Sequence, residues 1–384
     1  MKSIRPLSRR AFVSGAAVSG LGAVLPSAVW AQTPNQHTQI LNLSGPTTNQ
    51  GHPIYGRGAV LPKDLSNRVK AQNATAAAVN NRVTSEPGLV DALLAANPNF
   101  LGNPNLGNAA PAPPSKYTAK ATPVKNQGSC GCCWAFASMG AYEAAYLIIN
   151  NQTIDVSEQE MLDCTFGDVN CIVGSWHELA FIYLQNIGAV DGNTYPYLQT
   201  KGMCQSNMPR TYSLLNWGYV RDDYLPDEVL IASDTAIKQA IYHYGPVASA
   251  VTADDSWFDY VLRNPNGQAN PAWASFKNGI FNGTPTTILQ ANNIGIDHDV
   301  LIVGWDDSLG DHGAWIIKNS WGTSWGENGY IKLPYGSCNI GTGAAWVLPN
   351  LLKKAASASL TNDLQVINRT NKLIDYNPSI GRSR

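Results

Sequence analysis

The sequence predicts an α+β chain of two lobes with a cleft between them. Three observations predict it. Helical signals crowd the residues before about Leu214, and short β-branched and aromatic runs take over after it. All seven cysteines lie between Cys130 and Cys338, which marks one region of the 384-residue chain as its stapled centre. Helices first and strands second is the order of an α+β protein rather than of alternating βαβ units. Hydrophobic residues make up 44% of the chain, enough for a proper core. The 26 basic side chains balance the 27 acidic ones, so nothing resembles the electrostatic footprint of a nucleic-acid binder.

The chain starts with a basic stretch, Lys2, Arg5, Arg9 and Arg10, then an uncharged small-residue run from Ala11 to Leu25. With Val29-Trp30-Ala31 as a cleavage site, residues 1–31 read as a signal peptide, too short and too rich in Gly and Ala for a stable membrane anchor. Ser8 to Val13, "SRRAFV", resembles a twin-arginine signal, the mark of a bacterial protein exported folded; an ordinary secretion signal with two arginines is the other reading. Both put the mature chain outside the cytoplasm, periplasmic or extracellular, where disulfides persist.

Residues 32–114 read as a leader. Gln32 to about Leu61 is polar. Leu65 to Ala96 has weak helical patterning, with Leu65, Val69, Ala76 and Val79 on one face and Gln72 interrupting the stripe. Asn97 to Pro114, "NPNFLGNPNLGNAAPAPP", is a linker by composition, unable to bury a core. From Ser115 the texture changes. Cys133 to Asn150 lacks proline, is rich in Ala and bulky apolars, and predicts a buried helix with Cys133 in its first turn. A second helix is expected around Ser157 to Leu162, where Ser157 and Glu160 form a capping box, and a third around Ser175 to Gln185. Strands follow at Gly245–Ala253, Asp299–Trp305 and Ala314–Trp321, the last two joined as a hairpin through "DDSLGDHG". Asn350 to Arg384 is a polar extension.

The densest chemistry is "NQGSCGCCWAF", Asn126 to Phe136. Cys130, Cys132 and Cys133 admit three readings. A zinc site needs a second ligand pair, and the other cysteines, Cys164, Cys171, Cys204 and Cys338, are isolated; no metal and no cofactor are expected. A redox C-x-x-C wants a strand before it, but the preceding stretch is polar and carries Pro123. A nucleophile fits better. Cys133 at a helix N-terminus has the dipole to stabilise a thiolate. Its backbone N–H is free to meet a substrate oxygen, and the Gln127 amide can add a second donor. Of the six histidines, His298 enters a strand, and alternation sets it with Val300 and Ile302. On the opposite arm Asn319 shares a face with Trp315 and Ile317, so its amide oxygen can hold the imidazole.

These motifs resemble, in order, those of papain-type cysteine peptidases. "PVKNQGSCGCCWAF" matches except at Cys132, where the family has a small residue; "DHDVLIVGW", "WIIKNSWGTSWGENGYIKL", "NTYPY" and "YGPV" also match, across residues 115–349. The resemblance implies a papain-like two-lobed fold: a helical lobe with the nucleophile, an antiparallel barrel-like lobe with His298 and Asn319, and the site in the cleft. It implies a catalytic domain over 115–349 that hydrolyses peptide bonds through a Cys133 thioester, as an endopeptidase or a narrower exopeptidase. His298 is then the general acid/base, Asn319 its orienting group, Gln127 an oxyanion donor, and Trp321 the shield of the His–Asn bond. Gly174 keeps part of the substrate-backbone role, although "CIVGSW" matches poorly there. Implied disulfides are Cys130–Cys171 and Cys164–Cys204; Cys132 and Cys338 are left over, free or paired with each other, and Cys132 could be an oxidation-sensitive neighbour of the nucleophile. The expected partners are a peptide or protein substrate and the chain's own leader as an inhibitory propeptide, cut near Pro114 to Lys116. A monomer is expected. A transpeptidase, or a silent binding protein of the same fold, are the alternatives. Residues 261–275 and the long hairpin turn are insertions.

Overall fold

Helix α3 (Cys133–Asn150) sits at the centre of the structure and is buried along nearly its whole circumference. Such a helix must be apolar all round, which is why "CWAFASMGAYEAAYLIIN" carries Ala, Gly and Ser between its large residues. It ends at Asn151 in the left-handed conformation (φ 50°), one of the few residues other than Gly that does so at low cost. The computed structural model describes residues 55–100, 112–221, 231–253, 257, 280–281 and 295–351. The signal peptide, the first part of the leader, the 261–275 insertion and nearly all of the C-terminal extension lie outside them.

Two helices of the leader come first, α1 (Leu65–Ser85) and α2 (Pro87–Ala96). After the short strand β1 (Lys116–Thr118) and α3 come α4 (Glu158–Cys164) and α5 (Glu178–Asn186). Then β2 (Leu214–Tyr219), α6 (Asp234–Tyr244), β3 (Val247–Val251), β4 (His298–Asp306), β5 (Ala314–Lys318), β6 (Tyr330–Pro334) and β7 (Thr342–Pro349) complete the described elements. The strands form one antiparallel sheet in the order β2-β7-β3-β4-β5-β6, with β1 paired to β4. Alternation along β4 splits the core. Val300 and Ile302 join a cluster of tryptophans and α6, while Leu301 and Val303 face α3, α4 and α5.

Four expectations need correction. The capping box at Ser157 is one-sided. Its hydroxyl accepts from Glu160 N–H at 3.0 Å, but the Glu160 carboxylate turns to Val190 N–H and Tyr183 instead. The third helix starts at Glu178, because Ser175 is drawn into backbone bonds with the leader. Strand β5 stops at Lys318, three residues short of Trp321. There the Asn319 side-chain oxygen takes the Ser320 N–H at 2.7 Å and turns the chain. The linker from Asn97 begins as packed structure: Phe100 is buried, and the buried Asn97 amide donates to His243 O at 2.8 Å. Helix α6, which the strand-rich second half hid, places Ile237, Ala240, Ile241 and Tyr244 on one buried face, the i, i+3, i+4, i+7 spacing.

Helix α1 runs along β2, the end strand of the sheet. Its polar side chains do what a neighbouring strand would. Gln72 Nε2 donates to Trp217 O (2.8 Å). Asn73 both receives from Tyr219 N–H (2.8 Å) and donates to Tyr219 O (3.0 Å). Gln72 therefore interrupts the apolar stripe for a reason: an open sheet edge has unpaired backbone groups that must be satisfied.

Candidate active site

Cys133 lies at the first position of α3 and its side chain is fully buried. The loop before it is held by the Cys130–Cys171 disulfide and by Gly131 N–H donating to Cys171 O at 2.9 Å. A second disulfide joins Cys164 and Cys204. His298 begins β4, and the sheet brings it to Asn319: its Nε2 donates to Asn319 Oδ1 at 2.8 Å. An amide oxygen only accepts, so the Nε2 proton is fixed and Nδ1 carries the lone pair. That Nδ1 is buried and has no hydrogen-bond partner among the described residues. The backbone of the next residue, Asp299, acts to lower the Cys133 thiol pKa, while its carboxylate acts to raise it. Trp321 covers the imidazole, with ring centroids 4.6 Å apart. Trp257, which sequence reasoning missed, packs edge-on at 6.3 Å.

Gln127 sits beside the loop that leads into Cys133. Its Oε1 accepts from Ser320 Oγ at 2.6 Å, which orients the amide. Its Nε2 donates to Cys130 O (2.8 Å) and to Gly56 O (2.9 Å). The second partner belongs to the leader, and it introduces the feature that the sequence did not reveal. Residues 55–61 lie extended across the site as a strap. Gly58 N–H points at Cys133 Sγ at 3.3 Å. Gly58 O accepts from Ser175 N–H (2.8 Å), and Val60 N–H donates to Ser175 O (2.9 Å). Tyr55 stacks flat on Trp321 at 5.1 Å. Arg57 donates to Ala253 O and pairs with Asp297 at 3.0 Å.

Glycine is what allows the strap so close. A Cβ on Gly58 would stand 2.0 Å from Gly131 O. Gly174 has φ +72°, and a Cβ there would stand 2.1 Å from Gly58 O. The "YGRGAV" stretch has no periodicity, so only its glycines could have signalled a close backbone approach.

Burial also shifts the protonation of Cys133 and His298. Burial first, and then the Asp299 carboxylate, push the Cys133 thiol well above its ordinary range, against the Gly58 N–H on its sulfur. Burial, helped by the Arg57 charge, brings His298 down to about 4 against the support of Asn319. Both shifts favour the thiol and the neutral imidazole. The geometry is also unproductive. The carbonyl held by Gln127 belongs to Gly56, whereas the group on the sulfur is the Gly58 N–H. Acyl transfer needs one carbonyl to meet both nucleophile and donor.

Cys132 is buried next to Tyr197, its sulfur 2.9 Å from the phenol oxygen, and burial pushes its thiol up to about 12. It is not disulfide-bonded, and neither is Cys338, which lies in the other core cluster. Of the remaining histidines, His177 contacts the Asp299 carboxylate and Gly343 O, and His243 contacts Asn99 O. Among the described residues no group of three or more His, Cys, Asp or Glu is arranged to hold a metal ion. No described helix is long and apolar enough to cross a membrane.

Comparison with known proteins places this geometry. The sequence profile of the papain family cysteine proteases matches residues 114–263 and 265–348. A viral cathepsin of Heliothis zea nuclear polyhedrosis virus is 36% identical over 217 residues, 56% of this chain and 50% of that protein. Zingipain-2 of Zingiber officinale is 33% identical over 225 residues, 57% of this chain and 87% of that protein. A solved structure of the mite allergens Blo t 1 and Der p 1 is similar with a TM-score of 0.50 and 27% identity, over 66% of this chain and 76% of that one. The chain spans about half the length of the first curated relatives it matches. These relatives are viral, plant and animal, and they lend no support to the bacterial origin expected from the twin-arginine stretch.

Proposed function

This chain belongs to the papain family of cysteine proteases, and from that premise we propose that it is a cysteine peptidase held inactive by its own leader. The observation that carries the reading is the His298–Asn319 bond, together with Cys133 at the first position of α3. With the cleft open, the Nδ1 lone pair takes the thiol proton, and the α3 dipole favours the thiolate. The sulfur attacks a substrate carbonyl carbon. The developing oxyanion draws on Gln127 Nε2 and the Cys133 N–H. His298 then gives its proton to the leaving amine, which departs and leaves a thioester. Water, deprotonated by His298, breaks the thioester and restores the thiol. Asn319 keeps the imidazole in the required tautomer, Trp321 shields that bond from water, and Gly174 with Ser175 offers backbone partners to an extended substrate.

The leader acts here as inhibitor and the substrate is a peptide or protein, cut by a monomer outside the cytoplasm; the two disulfides fit an oxidising compartment. Export through a twin-arginine signal, and with it a bacterial origin, rests on residues 1–31 alone. The test uses the full chain after activation. An epoxide-type thiol alkylator is expected to label Cys133 and abolish peptide hydrolysis, and Cys133→Ser to hydrolyse nothing. Labelling at Cys132, or hydrolysis by the serine variant, overturns the assignment.

A further inference from the structure

The leader consists of two parts with different attachments to the body. The strap over residues 55–61 is held mainly through its backbone, at groups that face the cleft: Gln127, Cys133, Ser175 and Asp297. A substrate or water can take the strap's place at each of them. Helices α1 and α2 are built into the fold instead. The first turns of α1 bury Leu65 and Val69 in the helical-lobe cluster, and its later turns bury Val79 and Val83 in the other one. One helix therefore packs into both cores.

The polar contacts of α1 are equally committed. Asn216, fully buried in the middle of β2, gives its amide to Ala76 O and Asn80 Oδ1, both at 2.9 Å. Arg68 meets Glu178, a buried carboxylate that also takes the Tyr219 hydroxyl at 2.5 Å. Without α1, the Asn216 amide nitrogen loses both acceptors, Glu178 loses its cation, and Trp217 O and the Tyr219 backbone N–H and O lose the side chains that pair them. Leaving buried polar and charged groups unpaired is strongly destabilising.

Between the two parts lies a short junction, Leu61-Pro62-Lys63-Asp64. Lys63 and Asp64 are exposed, which is where a peptidase can reach the chain. Asp64 precedes α1 and its carboxylate meets Arg68 Nε at 2.7 Å, so a cut just before it leaves the helix start intact.

Resting on the peptidase reading, we propose that activation cuts this junction, Leu61 to Asp64, and that α1 and α2 stay as a permanent part of the active enzyme. The step is hydrolysis of one peptide bond: water is consumed, a new carboxylate ends the strap, and a new ammonium begins the body. The agent is a second copy of this chain or another endopeptidase, because the strap's own register over Cys133 is unproductive. The cut expected near Pro114 to Lys116 would instead cost the body its α1 and α2 contacts or leave them held without a covalent link.

Two engineered full-length proteins test this, one with a specific endoprotease site inserted between Leu61 and Asp64, the other between Pro114 and Ser115. Opening of the cleft is read as the rate of Cys133 alkylation, which does not require that any peptide be hydrolysed. Cutting the first site is expected to raise that rate at least tenfold, with residues 65–100 still in the purified protein and the melting temperature unchanged. Cutting the second alone is expected to leave the site closed, with the helices retained through gel filtration. The proposal is overturned if the second cut opens the site and sheds α1 and α2 from a stable body, or if the first cut leaves the site closed. Mass and N-terminal sequence of the naturally activated chain give the independent check: a start within 62–64 is expected, and a start after 112 overturns it. If alkylation opens at the first site but no peptide is cleaved, the peptidase reading fails while the processing scheme stands.

Discussion

At the scale of single residues, the strap's hold on the site depends on Gly58. Alanine there would put a methyl group 2.0 Å from the Gly131 carbonyl, and neither backbone can yield without breaking the Gly58 bonds to Cys133 and Ser175. Gly58→Ala is therefore expected to raise Cys133 alkylation in the uncut chain by about tenfold or more, since about 1.4 kcal/mol of lost docking shifts a closed–open equilibrium tenfold. An unchanged rate would show that the strap does not control access. His298 makes the same contact pH-dependent. Burial, helped by the Arg57 charge, holds its pKa down to about 4 under the strap, so a proton added to the imidazole from solvent favours the open site and closure weakens as pH falls toward 4. A synthetic peptide of residues 52–64 is expected to bind the activated enzyme progressively more weakly as pH is lowered toward 4, read by quenching of tryptophan fluorescence. Constant affinity over that fall would mean that His298 is not suppressed by the strap. As candidates, Cys133, His298, Asn319 and Gln127 were legible in the sequence because each stands in a motif with its own chemical logic. The strap was not, because a seven-residue extended segment has neither periodicity nor a reactive group, and its meaning lies in what it touches.

At the scale of elements, the helix read most clearly from sequence was α3, whose start and end follow from its unbroken apolar run. Helix α1 was half legible: four of its face residues stood out, but Gln72 and Asn73 looked like faults in the stripe. They are the side chains that pair the edge of β2, and no local pattern can announce a partner some 145 residues away. The strand order was hidden for the same reason, since β7 inserts between β2 and β3. If α1 and α2 belong to the fold, damage to them should be felt by the whole. Leu93 on α2 is 1% exposed. Leu93→Ala is expected to cost about 2–5 kcal/mol and to lower the single urea midpoint of the chain. A separate early transition for the helices, with the main one unmoved, would instead mark them as an appendage.

At the scale of the molecule, stability is distributed unevenly around the cleft. Both disulfides staple the helical side, closing loops with separations of 41 and 40 residues, and chain-entropy arguments give each about 4 kcal/mol. The barrel-like side relies on its buried tryptophans and on the sheet. The two disulfides should be alike in stability and unlike in function. Cys164–Cys204 ties the end of α4 to the segment after Met203 and holds neither Gln127 nor Cys133 directly. Cys130–Cys171 fixes the segment whose Cys130 carbonyl receives Gln127 Nε2 and whose Gly131 N–H meets Cys171 O. Replacing Cys164 and Cys204 by Ser is expected to lower the melting temperature and leave kcat of the activated enzyme within about twofold at 25 °C. Replacing Cys130 and Cys171 is expected to lower the melting temperature as much and also reduce kcat at least tenfold, because a donor misplaced by about 1 Å forfeits much of its transition-state stabilisation. Peptide hydrolysis and thermal unfolding on the two double variants separate these effects, and equal losses of kcat in both would show that the Cys130–Cys171 staple has no special share in holding Gln127.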